Sequence, residues 1–280
     1  MTSDLVPSIA GLRERLLLPR LRGRIIGLVP TMGALHAGHA ELIELARAEC
    51  QLVVVSIFVN PIQFDRRDDY DAYAIDLARD VEFCSALGAD FVFAPPAQEM
   101  YPQPPRTFVD LEGLTEHLCG KFRPGHFRGV ATVVAKLFHI VSPDRAYFGE
   151  KDAQQLAVIQ RMVDDLNMAV AIVPVATVRE SDGLALSSRN QRLSAEERQI
   201  APALYQSLQT AAECIRSGAS VEQARTTALA HLQERPEFRV EYFEIVDAST
   251  MSPVEALGGP ACIAAAAWLG SVRLIDNIKI

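Results

Sequence analysis

Short apolar runs separated by longer helical patterns fill the first two-thirds of the chain. The runs predicted as buried strands are residues 25–29, 52–59, 91–94, 146–148 and 169–175. Continuous apolar runs of this length are typical of strands that are covered on both faces of a sheet. We therefore predict that these strands form the core of one layered unit.

Helical periodicity occupies the stretches between several of these strands. Residues 39–50, 130–140 and 153–167 place their apolar side chains on one face of a helix. Strands that alternate with helices imply right-handed crossovers and a parallel sheet, whose ligands bind beyond the carboxyl ends of the strands. The sequence thus predicts an α/β fold and directs attention to the loops that follow each strand.

The pattern changes in the last third of the chain. Helical periodicity over 195–217 and 221–234 precedes strand patterns at 240–246, 262–269 and 272–280. Helices followed by adjacent strands predict a separate, smaller α+β unit. We place the domains at residues 1–176 and 177–280, and we predict an exposed loop for the proline-rich stretch 95–105, because proline interrupts helices and central strands.

Composition and charge narrow the range of partners. The 280 residues are 49% hydrophobic and 22% charged, as in ordinary globular proteins, and the formal net charge of -8 argues against nucleic acid as a partner. The 5 cysteines are scattered without a C-x-x-C pair, and no charge-free apolar run reaches the roughly 20 residues of a membrane span. We predict a cytoplasmic protein with no membrane partner.

The strongest chemical signal is the segment 30–39, Pro-Thr-Met-Gly-Ala-Leu-His-Ala-Gly-His, between the first predicted strand and its helix. A helix N-terminus attracts anions, Gly33 and Gly38 permit close backbone approach, and His36 and His39 can donate to phosphate oxygens. We predict a polyphosphate cradle here. A plain glycine turn and a metal site on the two histidines are the alternatives. Neither the dinucleotide motif G-x-G-x-x-G nor a P-loop is present.

Polar side chains follow two further predicted strands. Asn60 and Gln63 come after the second strand, where an amide can bind a hydroxyl or carboxylate of a small substrate, although Asn60 can also bond its own backbone. Lys151, Asp152 and Gln155 follow a later strand. Lys151 suits an anion and Gln155 can bind the same substrate as Gln63, whereas Asp152 can equally be a helix N-cap.

Two loops carry additional cationic or hydroxyl groups. Ser187, Ser188 and Arg189 lie between the predicted domains and suit the β- and γ-phosphates of a nucleotide. The alternative is a polar interdomain loop that leads to the capping box at 194–197. The basic loop at 123–128 is either a further anion-binding segment or a solvated turn.

Taken together and in this order, these segments resemble the pantothenate synthetase (pantoate–β-alanine ligase) family of the HxGH nucleotidyltransferase superfamily. The resemblance covers essentially the whole chain, and its motifs are residues 30–39, 58–64, 123–127, 149–156, 186–190, 267–270 and 273–277. It implies a Rossmann-like parallel sheet domain followed by a smaller C-terminal lid domain, and a homodimer. It also implies condensation of D-pantoate with β-alanine through a pantoyl-adenylate, with ATP and Mg2+ and with release of AMP and pyrophosphate.

The family pattern assigns roles to individual positions of this sequence. The residues that it implies for ATP binding are Met32, Gly33, Ala34, Leu35, His36, Ala37, Gly38, His39, Gly149, Glu150, Lys151, Asp152, Val178, Leu186, Ser187, Ser188 and Arg189. His39 matches the family's proton donor, and Gln63 and Gln155 match its pantoate-binding glutamines, with Asn60 added beside Gln63. His36, Lys151 and the 187–189 segment complete the predicted catalytic set, and the magnesium ligands stay unassigned.

Two positions depart from the family pattern. Cys119 replaces a usual acidic residue, which removes an ion pair expected near Arg123. Ala74 and Ile75 replace Pro-Arg, which we expect to loosen the loop after Phe64.

The two rival functions are a related transferase with a phosphate-bearing acceptor and a catalytically inactive nucleotide-binding module. The neutral amides of the predicted substrate site disfavour the first, and the retained histidines and lysine disfavour the second.

Overall fold

A computed structural model describes residues 3–71, 73 and 76–280. Their contacts divide the chain into two compact units. The first unit comprises the described residues of Met1–Leu111, Pro124–Glu150 and Val158–Val175, and the second comprises Glu112–Arg123, Lys151–Ala157 and Ala176–Ile280. The assignment of 1–176 and 177–280 as domains stays a prediction, as does the lid role of the second one.

A six-stranded parallel sheet forms the centre of the first unit. Its strands are β1 (Asp4–Val6), β2 (Ile26–Thr31), β3 (Leu52–Ile57), β4 (Phe91–Phe93), β5 (Arg145–Gly149) and β6 (Ala171–Val175). Their order in the sheet is β1-β4-β3-β2-β5-β6, and each neighbouring pair runs parallel. The predicted α/β class is confirmed, and so is the strand nature of all the apolar runs in the first part of the chain.

Helices connect these strands and continue into the second unit. In chain order they are α1 (Ile9–Leu21), α2 (Ala37–Glu49), α3 (Arg67–Asp71), α4 (Leu77–Ala86), α5 (Ala97–Met100), α6 (Leu118–Phe122), α7 (His126–Val141), α8 (Ala153–Asp165), α9 (Ala195–Ile200), α10 (Ala203–Arg216) and α11 (Val221–Gln233). Short 3-10 helices cover Pro61–Gln63, Glu150–Asp152 and Ser188–Arg192. Helix α7 is buried over most of its surface, which explains its strongly apolar sequence.

The second unit contains a three-stranded antiparallel sheet. Its strands β7 (Phe238–Asp247), β8 (Ala261–Leu269) and β9 (Val272–Lys279) pair in sequence order. Alanines and larger apolar residues of β8 share one buried cluster with α10 and α11. This arrangement confirms the predicted small α+β part of the fold.

Two predictions about elements were incomplete. The helix predicted over 195–217 is interrupted at Pro202, which lacks the N–H that would continue α9 into α10. The stretch 95–105 was expected to be an exposed loop, but Pro96 opens α5, and Met100 at the end of this helix is fully buried. Proline is tolerated at a helix start because its missing N–H would have no helical partner there.

Other features concern the chain as a whole. All 5 cysteines are free thiols. Among the residues that the structure describes, no helix combines the length and the apolar character needed to cross a membrane. Ala74 and Ile75, where the loop after Phe64 was expected to loosen, lie outside the described residues.

Candidate active site

The segment predicted as a phosphate cradle connects the end of β2 with the start of α2. The Thr31 hydroxyl donates to the Ser56 carbonyl on β3 at 2.7 Å and accepts from the Gly33 N–H at 3.2 Å. Gly33 has φ 83°, a left-handed conformation that glycine adopts without a steric penalty. The side chain of Thr31 thus turns the chain out of the sheet at a defined position.

A buried carboxylate on α4 holds the next two residues. Asp80 is 2% exposed, and its two oxygens accept from the N–H groups of Ala34 and Leu35, each at 2.9 Å. Ala34 has φ 51°, which costs free energy for a residue with a Cβ atom and therefore needs such support. Sequence reasoning missed Asp80, because only the packing of α4 brings it to the cradle.

Two histidines cap the start of α2 through their Nδ1 atoms. The Nδ1 atom of His36 accepts from the Gly38 N–H at 3.1 Å, and Nδ1 of His39 accepts from the His36 N–H at 3.3 Å. An acceptor Nδ1 carries no proton, so in both neutral rings the proton sits on Nε2. The rings lie side by side, with centroids 4.1 Å apart. The cradle therefore contains two adjacent imidazole N–H donors.

This geometry changes the expected source of the donors. The sequence predicted that backbone N–H groups at the helix start and the imidazoles of His36 and His39 would both face a phosphate. Instead, the N–H groups of Gly33, Ala34, Leu35, His36 and Gly38 already donate to protein side chains. The structure thus favours the imidazoles over these five N–H groups as donors to a ligand, because a capping box uses N–H groups that a bare helix end would leave to a ligand.

Asn60 and Gln63 form a buried polar pair at the carboxyl end of β3. The Asn60 amide donates to Gln63 Oε1 and to the Gly129 carbonyl, both at 3.0 Å. Gln63 Nε2 lies 3.0 Å from the sulfur of Met32 in the cradle. The alternative in which Asn60 caps its own backbone is wrong, since its side chain makes no such bond.

Helix α7 supports the turn that carries Gln63. Nδ1 of His126, the first residue of α7, lies 2.8 Å from the Gln63 carbonyl oxygen. A Cβ atom on Gly129 would lie 2.5 Å from the Ile62 carbonyl oxygen and 2.6 Å from Gln63 Cα, so only glycine permits this approach. Part of the predicted basic loop at 123–128 is therefore the start of α7, and a simple solvated turn does not describe it.

The second unit contains the other predicted residues after β5. Lys151 and Asp152 belong to the 3-10 turn that precedes α8, and the Lys151 carbonyl accepts from the Asn277 amide at 2.9 Å. Gln155 is half-buried in the first turn of α8. Its neighbour Gln154 is buried and donates to the carbonyls of Leu114 and His117, both at 2.8 Å. Gln154 thus fixes the 114–117 segment within this unit.

The loop from Val178 to Arg189 is closed by a backbone bridge and an ion pair. The Leu186 N–H donates to the Val178 carbonyl at 2.9 Å, which brings two residues of the predicted ATP site side by side. Within the loop, Arg179 makes two bonds to the buried Asp276 carboxylate, at 2.5 and 2.9 Å. Ser187 caps the following 3-10 helix through the Arg189 N–H.

A second arginine supports the same loop from α9. Arg198 donates to Glu180 at 2.6 Å and to Asp182 at 2.7 Å. The hydrogen bond from this guanidinium lowers the pKa of the Asp182 carboxyl below its ordinary value. The predicted capping box between Ser194 and Glu197 is present at the start of α9. Ion pairs thus help to hold this loop in place, whereas hydrogen bonds hold the cradle.

Cys119, the departure from the expected acidic residue, lies beside Arg273 in addition to the nearby Arg123, whose N–H donates to the Cys119 carbonyl. Its sulfur lies 3.1 Å from the Tyr242 hydroxyl and 3.5 Å from Nη2 of Arg273. Arg273 also forms a largely shielded ion pair with Glu241. Arg273 therefore has a carboxylate partner, Glu241, while an uncharged cysteine occupies position 119.

The structure divides the predicted residues between the two units. The first unit contains the cradle, Asn60, Gln63, Gly149 and Glu150, and the second contains Lys151, Asp152, Gln155, Val178 and Leu186–Arg189. Within the described residues, no group of three or more His, Cys, Asp or Glu side chains is arranged to hold a metal ion. Mg2+ commonly binds through one or two carboxylates together with substrate phosphates, so such a group is not required for it.

Comparison with known proteins identifies relatives of the entire chain. The family model described as Pantoate-beta-alanine ligase matches residues 4–279. A pantothenate synthetase from Moorella thermoacetica is 49% identical over 278 residues, which cover 99% of this chain and 98% of that protein. The match extends over both units.

Solved structures with the same architecture are also similar over the whole chain. A pantothenate synthetase from Thermus thermophilus has a TM-score of 0.93 at 48% identity, covering 98% of each chain. A pantoate-beta-alanine ligase from Francisella tularensis, complexed with beta-gamma ATP and beta-alanine, has a TM-score of 0.81 at 33% identity. The alignment covers 99% of this chain and 97% of the Francisella protein. The resemblance predicted from the sequence motifs is confirmed.

Proposed function

The chain belongs to the pantoate-beta-alanine ligase family, and we propose that it condenses D-pantoate with β-alanine at the expense of ATP. The products are pantothenate, AMP and pyrophosphate. The observation that carries this proposal is the pair of imidazoles at the start of α2, whose Nδ1 atoms both accept from backbone N–H groups and so leave the ring proton to Nε2. The Francisella relative, complexed with beta-gamma ATP and beta-alanine, supports the choice of substrates.

In the first step, the pantoate carboxylate attacks the α-phosphorus of ATP and pyrophosphate leaves. Negative charge then increases on the phosphoryl oxygens, where donors fixed before the reaction stabilise it most. We assign this role to Nε2–H of His36 and of His39, whose Nδ1 bonds to backbone hold both rings in one orientation. The product of this step is a pantoyl-adenylate.

In the second step, the amine of β-alanine attacks the activated carbonyl and AMP leaves. A free carboxylate is a poor acyl donor, whereas the mixed anhydride has a good leaving group, so the amide forms without a covalent enzyme intermediate. Gln63 and Gln155 are assigned to the pantoate, since neutral amides suit its hydroxyl and carboxylate groups. Asn60 is assigned to orient Gln63, because its own polar groups are bonded within the protein.

The second unit supplies charge for the phosphates in this proposal. Lys151 and Arg189 are assigned to the anionic oxygens, with the hydroxyls of Ser187 and Ser188 as additional donors. Mg2+, bound with the nucleotide, would neutralise part of the phosphate charge. We further propose a homodimer in the cytoplasm, as the family resemblance implies.

The experiment that tests this function measures AMP release from ATP and Mg2+. D-pantoate and β-alanine are supplied together and are each omitted in turn. We expect sustained AMP release only with both substrates, and pyrophosphate release with D-pantoate alone limited to about one equivalent per site. AMP release that needs neither substrate, or no release despite ATP binding, would overturn the proposal.

A further inference from the structure

A chain of hydrogen bonds connects Tyr101 with Gln63 inside the first unit. The Tyr101 hydroxyl lies 2.9 Å from Oδ1 of Asn60, and Nδ2 of Asn60 lies 3.0 Å from Oε1 of Gln63. Asn60 is 1% exposed, so water does not replace these partners. The two amides and the hydroxyl therefore form one continuous polar path.

The direction of each bond in this path is fixed. Burial raises the pKa of Tyr101 to about 12, so its hydroxyl keeps its proton at neutral pH and donates it to Asn60. The two hydrogens on Nδ2 of Asn60 then point to the Gly129 carbonyl and to Gln63 Oε1. Every hydrogen-bonding group of the Asn60 amide has a partner in only this orientation.

The orientation of Asn60 in turn fixes the orientation of the Gln63 amide, at the other end of the path. Since Oε1 of Gln63 accepts from Asn60, its Nε2 group is turned toward the cradle, where its partner is the sulfur of Met32 at 3.0 Å. A thioether is a weak acceptor, and a carboxylate or hydroxyl oxygen is a much stronger one. The site therefore offers an oriented N–H donor to an oxygen-bearing substrate.

We propose that Tyr101 is a positioning residue, which acts through Asn60 to hold the Gln63 amide with its N–H group toward an acceptor oxygen of the acid substrate. This inference rests on the proposed function, in which Gln63 binds pantoate. It assigns a role to a residue in the stretch that the sequence predicted as an exposed loop.

The surroundings of Tyr101 keep its ring in place. Tyr101 directly follows α5, and its N–H donates to the carbonyl of Ala97, the first residue of that helix, at 2.7 Å. The Nζ atom of Lys136 lies 5.1 Å from the centre of the ring, and the Phe58 ring centre lies 6.2 Å away. These contacts are independent of the hydroxyl, so replacing tyrosine with phenylalanine removes the hydrogen bond and leaves the packing.

The test uses Tyr101→Phe in the full-length protein. We expect the KM for D-pantoate to rise about fivefold to tenfold, which corresponds to the loss of one neutral hydrogen bond. The kcat and the KM for ATP should change by less than about twofold, because Gln63 holds the substrate equally in the ground and transition states. Initial rates of AMP release measure all three constants.

Tyr147→Phe is the matched control. The Tyr147 hydroxyl is also buried and bonded, to Glu49 at 2.9 Å and to the Cys50 sulfur at 3.2 Å, near the C-terminal end of α2. Its loss should lower stability, as the loss of the Tyr101 hydroxyl does, but leave the KM for D-pantoate unchanged. An equal rise in both variants would assign the effect to general destabilisation and overturn the proposal.

A double-mutant cycle decides whether Tyr101 acts through Gln63. In a Gln63→Ala background, Tyr101→Phe should leave kcat/KM for D-pantoate unchanged within about twofold, because the oriented amide is already absent. A full fivefold effect in that background, or none in the wild type, would overturn the inference alone. A wild-type protein without pantoate-dependent AMP release would overturn the proposed function and this inference together.

Discussion

The cradle in the first unit and the 178–189 loop in the second are held by different forces. Backbone N–H groups of the cradle bond to Asp80, Thr31 and the two histidines, and the Asp80 carboxylate is almost fully buried. The loop instead depends on two arginines. Arg179 pairs with the buried Asp276, whereas Arg198 pairs with Glu180 and Asp182 at the surface.

This difference predicts different responses to the environment. Buried hydrogen bonds are short-ranged, directional and barely screened by salt, so the cradle should keep its geometry over a wide range of conditions. Exposed ion pairs weaken with salt and with protonation of the carboxylate. We therefore expect the exposed pairs of the loop to respond to salt and pH more strongly than the cradle does, and the following substitutions test that comparison.

The largest effect is expected for His39, which both caps α2 and donates from Nε2. His39→Asn keeps an acceptor near the position of Nδ1 but has no donor at Nε2, and kcat should fall about 100- to 1000-fold. His39→Gln places an amide N–H near Nε2 and should recover about tenfold of that loss. Pre-steady-state kinetics and ATP titration separate rate from binding. Equal losses in kcat and ATP affinity would contradict a transition-state role.

The next effect concerns the buried ion pair of the second unit. Arg179→Met leaves the Asp276 carboxylate, whose side chain is 3% exposed, without its guanidinium, and should lower the free energy of unfolding by about 3 kcal/mol. Urea unfolding measures this change. Arg216→Met, at the exposed end of α10, is the matched control and should change it by less than about 0.5 kcal/mol. A similar small change for both would show that the pair does not stabilise the loop.

A smaller effect is expected in the cradle from Asp80→Asn. The amide can accept only one of the two N–H groups and turns its own donor toward the other, which should cost about 2 kcal/mol of stability. We expect this cost to be the same in low and high salt. Asp76→Asn, at the N-cap of the same helix, is the control, because asparagine caps as well as aspartate. Loss of the effect in high salt would contradict the contrast between the two regions.

The smallest effect belongs to Arg198. Arg198→Gln should lower stability by about 0.5 to 1 kcal/mol at low ionic strength, and the difference should vanish in roughly 1 M NaCl. The pKa of Asp182 is depressed in the folded protein, so the pair stabilises above the ordinary carboxyl pKa of 3.8 and loses this contribution as the pH falls below it. Urea unfolding of both proteins between pH 3 and 7 measures this, and a difference that grew toward low pH would have the wrong sign.

The strands and helices show how far local patterns predict this fold. Apolar runs located the strands of the first sheet from β2 to β6, but not the three-residue edge strand β1. Helix α1 was missed as well, since exposed Leu17, Leu18 and Leu21 obscure its periodicity. Helix α5 was missed because prolines surround it. Short or weakly patterned elements depend on tertiary contacts that a local window does not contain.

The sequence predicted where the residues of the candidate site lie, but not which groups hold them in place. Parallel strands bring their carboxyl ends to one edge, so the motif after β2 and the amides after β3 were expected near one another, and Gln63 does lie against Met32 of the cradle. The partners that hold these residues come from distant parts of the sequence. Asp80, Tyr101 and Gly129 carry no local signal, because their importance arises only when α4, α5 and α7 pack around the sheet.

The sequence by itself determined the α/β class, the α+β character of the last third, the family and the chemically active residue types, because these follow from periodicity and motif order. Only the tertiary structure decided which atoms of those residues are available. It engaged five backbone N–H groups of the cradle, left the imidazole protons of His36 and His39 to Nε2, and directed the Gln63 amide through Asn60 and Tyr101. The physical reason is that a hydrogen bond depends on distance and direction between groups, and the chain brings those groups together only when it folds.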